Sequence, residues 1–299
     1  MKKTVLLLLL LHCGVKTQAQ VATKITETPS NIYVMDIANY DHPLGKLELK
    51  NYRFLTADNK KGFNNNPFFH DNQLFIAASK DGKQSDIFML DLDKNTRKQL
   101  TFTDNESELV PRIMWDYKNA MALTTESNST QRLHKFSLET ADEPSIFGGS
   151  FDFVGNFLWL NQTSFAAFLT NNNNVVLVDA TTGNLERVSA QCGTNLQMNE
   201  RGDLFFLYKK NDTEGQIKMY DRKTGKNKGV IPTIGASVEN FAVLPDNSFI
   251  CAKGRFLYRF RLETDNSWQV AADLTELIGI RKITQVTANK KGTIAIVVE

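Results

Sequence analysis

Beyond about residue 20 the apolar residues arrive in short runs, rich in β-branched and aromatic types, with clusters of Asn, Asp, Gly and Ser between them and no sustained helical spacing. Such runs read as strands separated by turns. They also recur. Leu74-Phe75-Ile76-Ala77, Ala120-Met121-Ala122-Leu123, Phe165-Ala166-Ala167-Phe168, Leu204-Phe205-Phe206-Leu207, Phe249-Ile250-Cys251-Ala252 and Ile294-Ala295-Ile296-Val297 begin 46, 45, 39, 45 and 45 residues apart. A following series repeats with them: Val34-Met35-Asp36, Met89-Leu90-Asp91, Phe136-Ser137, Val178-Asp179, Tyr220-Asp221 and Phe260-Arg261. Asp179 to Gly183 and Asp221 to Gly225 share the tail Asp-x-x-Thr-Gly. There the carboxylate is expected to open a turn by accepting backbone N–H groups and the glycine to supply a positive φ, which makes these aspartates structural.

A period near 44 residues with about four strands in each unit predicts an all-β chain, a six-bladed β-propeller with four antiparallel strands per blade. The N-terminus supplies a third-strand pattern (Ile32 to Met35) and a fourth (Arg53 to Thr56), whereas the C-terminus supplies a first (Ile283 to Thr287) and a second (Ile294 to Val298). Neither end makes a whole blade. Together they make one, and closing the ring this way removes two sheet edges. Residues 20–299 are therefore assigned to the propeller, with a composite blade of 20–61 plus 280–299 and further blades near 62–105, 106–149, 150–190, 191–235 and 236–279. Residues 37–52 exceed a hairpin and are expected to form an elaborated loop, and Ala271 to Ile278 is the one short helix candidate.

The best-formed unit runs Asn65-Asn66-Pro67-Phe68-Phe69, Asp71 to Ala77, Asp86 to Leu92 and Arg97-Lys98-Gln99-Leu100-Thr101. It resembles the WD40-like repeat of TolB-type periplasmic propellers. Blade 3 keeps Pro111 and Trp115-Asp116, and blades 4 to 6 keep only the pattern and the turns. The resemblance implies a periplasmic or secreted six-bladed scaffold. TolB itself carries an extra α/β domain ahead of the propeller, and here barely a dozen residues separate Gln20 from Ile32.

Residues 1–19 begin with Lys2-Lys3, run through Leu6 to Leu11 and end at Thr17-Gln18-Ala19, the pattern of a secretory signal peptide. A lipid on Cys13 is the competing reading, disfavoured by the bulk of His12. No segment is long enough for a transmembrane helix. Of the 35 basic and 33 acidic residues, Lys2, Lys3 and Lys16 would leave with the signal, and the near-neutral remainder lacks the electrostatic footprint of a nucleic-acid binder. The apolar share of 41% suffices for a large core, and a monomer is expected. Cys192 and Cys251 fall on different modules, so two buried free thiols are expected in place of a bridge.

Catalytic signatures are sparse. His42, His70 and His134 have no ligand spacing between them. Gly148-Gly149-Ser150-Phe151-Asp152 lacks the closing glycine of a nucleophile elbow and reads as a turn, as does the run Asn171 to Asn174. No Gly-rich phosphate loop is visible, and no cofactor is expected. Trp115 and Trp159 are expected in the core between blades, and Trp268 near the outer edge. What remains is the pore. Loops entering each innermost strand converge on the axis of a propeller, which nominates Asn64, Asn66, Glu108, Asp152, Asn195, Glu239, Asn240 and Arg281 as a ligand-binding funnel. The leading expectation is a non-catalytic scaffold for an envelope protein, peptide or glycan. The alternative is a hydrolase resembling six-bladed lactonases, with Ca²⁺ or another divalent cation on Glu108, Asp152, Asn195 and Glu239.

Overall fold

The structure, a computed structural model, describes residues 28–299 apart from Lys80, Asp81, Lys83, Ala141, Gly149, Ser150, Ala236, Ser237, Ile278 and Gly279. The signal-peptide and Cys13 readings lie outside the described residues. In chain order the strands are β1 (Asn31–Asn39) and β2 (Glu48–Phe54); β3 (Phe63–His70), β4 (Gln73–Ser79), β5 (Asp86–Asp91) and β6 (Thr96–Gln99); and β7 (Ser107–Ile113), β8 (Asn119–Thr125), β9 (Gln131–Ser137) and β10 (Ser145–Ile146). Then come β11 (Val154–Trp159), β12 (Ser164–Leu169), β13 (Asn174–Asp179) and β14 (Leu185–Ser189), followed by β15 (Cys192–Met198), β16 (Leu204–Lys209), β17 (Gly215–Asp221) and β18 (Lys226–Pro232). The last are β19 (Phe241–Val243), β20 (Phe249–Lys253), β21 (Phe256–Phe260) and β22 (Gln269–Asp273), with β23 (Ile283–Ala288) and β24 (Thr293–Val298) ending the chain. They form six four-stranded antiparallel sheets.

Ring closure follows the expected pairing of the two ends. β1 pairs with β24, Ile32 opposite Val297 and Met35 opposite Ile294, so the composite sheet reads β2-β1-β24-β23. A second strand is covered on both faces by neighbouring blades, and this is why its residues are continuously apolar where a one-sided strand would alternate. Leu74, Phe75, Ile76 and Ala77 are all fully buried, as are Ile294 through Val297. Each seam between adjacent blades carries its own apolar cluster. Phe75, Ala77 and Ile87 meet Ile113, Ala120 and Phe136 in one, and Met35 and Ile294 meet Ile250 and Leu257 in another.

The repeated aspartates behave as turn formers. Asp179 Oδ1 accepts from the N–H groups of Thr181 and Thr182, both at 2.8 Å, and Asp221 Oδ1 from Lys223 and Thr224 at 2.8 and 3.3 Å. These backbone hydrogen bonds hold both carboxyls below the usual carboxylate range. Gly183 and Gly225 close the turns at φ 75° and 67°. Asn173, at φ 53°, serves the same purpose between β12 and β13.

The loop expected over 37–52 is confined to residues 40–47, because 37–39 extend β1 and 48–52 open β2; it lies against the preceding blade, held by Arg259 of β21 and by Arg261 just beyond that strand. The fully buried Arg259 donates to Tyr40 O at 2.8 Å and Ser248 Oγ at 2.9 Å and pairs with Asp246. Arg261 reaches His42 O and Pro43 O. Two further expectations are corrected. Ala271 to Asp273 end the outer strand β22, Ala272 and Asp273 pairing with Leu257 and Phe256, and Leu274 to Leu277 form a turn, so the described part of the helix candidate is strand and turn; Ile278 lies outside the described residues. Trp115 lies outside the core and is 38% exposed, because β7 ends at Ile113 and Asp116 Oδ1 folds the chain back by accepting from Lys118 and Asn119 N–H. Trp159 is buried in the seam as expected. Cys192 and Cys251 are buried free thiols, and burial pushes both up in pKa.

Candidate functional site

A cavity of about 1110 Å³ follows the six innermost strands and reaches the turns that leave them, among them His70-Asp71, Trp115 and Tyr117, Asn199 to Gly202, and Asn289-Lys290. Strand geometry places polar side chains here at one repeated level, and the wall turns out to be a ring of side chains stitching each blade to the next. Asn66 N–H donates to Gln285 Oε1 at 3.2 Å, and the Arg112 guanidinium lies 4.9 Å from the centre of the Phe68 ring. Arg112 Nη2 donates to Asn156 Oδ1 at 3.1 Å and Nε to Phe157 O at 3.0 Å. Asn156 Nδ2 donates in turn to Thr194 O at 2.8 Å, and Asn195 Nδ2 to Phe241 O at 3.2 Å. Val286 N–H closes the circuit on Asn240 Oδ1 at 2.7 Å. All six seams are crossed.

The belt exists because the inner strands are irregular. Register shifts interrupt the pairing of β3, β7, β11, β15 and β23 with their neighbours. A bulge bends the strand and re-aims a side chain. In β7 it is formed by Val110, at φ 54°, and Pro111, and it delivers Arg112. Proline is tolerated there because the channel side of an innermost strand has no ladder partner.

Of the eight nominated funnel residues, Asn66, Asn195, Glu239 and Asn240 line the cavity. Glu239 sits at its edge in an ion pair with Lys209. The other four lie outside the lining. Asn64 is fully buried, with Nδ2 donating to Ser30 O at 2.7 Å and its N–H to Ser30 Oγ at 3.0 Å. Glu108, also fully buried, accepts from Thr103 Oγ1 at 2.6 Å and Thr101 Oγ1 at 3.1 Å, and desolvation pushes its carboxyl up to about 8. Asp152 and Arg281 are exposed. Polar residues that enter an inner strand are thus spent on the seams at that end, and the open volume follows the strands towards their far ends. Among the described residues no three His, Cys, Asp or Glu side chains gather closely enough to hold a metal ion.

The residues missed by sequence reasoning were Arg112, Asn156 and Gln285. A signal existed. Asn156, Asn195, Asn240 and Gln285 are separated by 39, 45 and 45 residues, the spacing of the second strands. Arg112 interrupts that series with a cation whose pKa burial lowers to about 10.

No family model matches the chain, and no curated protein matches it. Solved structures do. TolB from Acinetobacter baumannii superposes with a TM-score of 0.58 at 12% identity, over 90% of this chain and 64% of that one. The chain thus spans less than two thirds of that TolB. A TolB structure from Agrobacterium tumefaciens gives 0.60 at 8% identity, over 90% and 98% of the two chains. Oligogalacturonate lyase from Vibrio parahaemolyticus gives 0.50 at 14%, over 76% and 86%. Likeness at such identities speaks for architecture, and function belongs to the site. In architecture the chain is a TolB-like six-bladed β-propeller.

Proposed function

We propose that the chain is an exported, non-catalytic propeller that binds a protein, peptide or glycan in its central channel. Export rests on the Lys2-Lys3 and leucine pattern of residues 1–19 together with the TolB-like fold. No helix among the described residues is long and apolar enough to cross a membrane. The observation that carries the binding reading is the belt itself: amide side chains and one arginine around a cavity large enough for a ligand of several rings or residues. Amides both donate and accept, so they can orient a polar guest without charge.

Occlusion tests this. Thr287 lines the cavity on β23 and makes none of the seam bonds described above. The wild-type chain and Thr287→Trp are immobilised and exposed to the same envelope extract, and retained species are identified by mass spectrometry. Species held by the wild type and lost from the occluded chain are expected. Identical retention by both chains, with equal melting temperatures, refutes the channel as the site.

A further inference from the structure

We propose that the channel ligand is an acidic oligosaccharide whose carboxylate is held by Arg112 and one of whose rings stacks on the ledge formed by Trp115 and Tyr117. The inference rests on the channel being the binding site and adds the chemical class. Arg112 contributes first. It has five N–H donors, three of which go to neutral acceptors: Phe157 O, Asn156 Oδ1 and, at 2.8 Å, Pro111 O. Among the described residues no carboxylate pairs with it. One donor remains on each terminal nitrogen, a fork that suits the two oxygens of a carboxylate. A partly buried cation without a counter-ion is disfavoured until an anion arrives from solution, so the preference for an anion is local to Arg112, Asp71, Glu200 and Glu239 lying elsewhere in the lining.

Two further groups in the lining are unsatisfied. The indole N–H of Trp159 and Oδ1 of Asn195 have no hydrogen-bond partner, although the residues are only 6% and 5% exposed. Buried polar atoms are ordinarily paired, and one unpaired donor and one unpaired acceptor in the same lining suit a guest that carries several hydroxyl groups, each able to donate or accept.

The ledge supplies the apolar half. Tyr117 is 59% exposed and Trp115 38%, and Tyr117 is braced by stacking on His70 with ring centres 5.2 Å apart. Both aromatics follow directly on the strand that carries Arg112. Arg112 lies within β7 and Trp115 in the turn beyond its end at Ile113, so the two are separate contacts, and a guest that serves both is proposed to be an oligomer. A glutamate peptide would answer Arg112 but has no ring face to stack on the ledge.

The test uses the full chain and three probes: a short uronic-acid oligosaccharide, its methyl ester and a glutamate peptide of similar length, each followed by titration calorimetry and thermal shift. The acid oligosaccharide is expected to bind saturably, its neutral ester to bind on the order of tenfold more weakly. Tyr117→Ala, on an exposed residue, is expected to weaken binding by a similar factor and to melt with the wild type when unliganded. Arg112→Lys retains charge without the fork and is expected to fall between wild type and no binding. Equal affinity for acid and ester, or wild-type affinity in both variants, overturns the proposal. Binding of the peptide but not the sugars also overturns it, while leaving the channel a binding site. Should no probe bind while the Thr287→Trp column still loses its retained species, the ligand class alone is wrong. If that column loses nothing, the channel reading fails as well.

Discussion

Replacing Glu108 by Gln should remove most of the protein's loss of stability between mildly acidic and alkaline pH. The carboxyl is buried in the seam between the second and third blades, where Thr101 and Thr103 donate to it, with Asp86 and Glu106 as its acidic neighbours. Burial is the main cause of its rise to about 8 from an ordinary 4.5. The folded chain therefore keeps a proton that the unfolded chain has already released above pH 4.5. Folded protein binds more protons throughout that window, so stability falls as pH rises from about 4.5 to about 8 and levels off beyond it. At roughly 1.4 kcal/mol per pKa unit the loss amounts to at most about 5 kcal/mol. Glutamine can accept from one threonine hydroxyl and donate to the other, but it cannot ionise. Glu108→Gln should match the wild type near pH 4.5 and exceed it by several kcal/mol near pH 9. Asp86, whose carboxyl burial also raises, leaves a shallower slope of the same sign. Urea melts across this range at constant m would measure the effect. Parallel stability profiles for the two chains would refute the assignment of a buried proton to Glu108.

Two further outcomes follow from packing. Arg259→Met leaves Asp246 without its cation and removes one of the two arginine anchors of residues 40–47, which should cost about 3 kcal/mol in urea unfolding and speed proteolysis within that loop; unchanged cleavage would show that Arg261 and the remaining contacts hold it. Ile296→Ala, at a fully buried position of the closing strand, should cost about 2 to 5 kcal/mol, against less than about 0.5 kcal/mol for Ile146→Ala at an exposed position; equal effects would argue against ring closure through β24.

The propeller was legible because its period is written in the residues that matter most to packing. A second strand buried on both faces must be apolar along its whole length, so Leu74 to Ala77 and its five counterparts stand out above the polar background. Closure was legible for a related reason, since the unmatched half-blades at the two ends are complementary. Local irregularity was not. The bulge at Val110-Pro111 moves Arg112 out of the simple series, and no propensity marks a β-branched residue at φ 54°. Trp115 misled in the same way: its aromatic character suits a core strand, but the acceptor that turns the chain back is the neighbouring Asp116. Glu108 and Asn64 were read as lining a funnel because they precede inner strands. Their carboxyl and amide groups instead satisfy donors and acceptors inside the seams, a distinction that depends on partners far away in sequence, such as Ser30 for Asn64.

A propeller of near-equal blades would by itself create a pore of near-uniform chemistry, and water would fill it as readily as any solute. What departs from uniformity here is charge. Around the belt the amides of Asn156, Asn195, Asn240 and Gln285 recur at the spacing of the fold and serve, first of all, to join the blades. Among the belt residues named above the one cation is Arg112 of the third blade, reached through a bulge and followed closely by two exposed aromatics. Fold stability does not require this, because an amide joins the other seams. On the binding proposed above, a feature that one blade carries, that leaves donors over after every seam is joined, and that adjoins a stacking surface would favour a guest with an anion at one end and an apolar ring face at the other. The repeat thus accounts for the channel, and the departure from the repeat for the selectivity proposed for it.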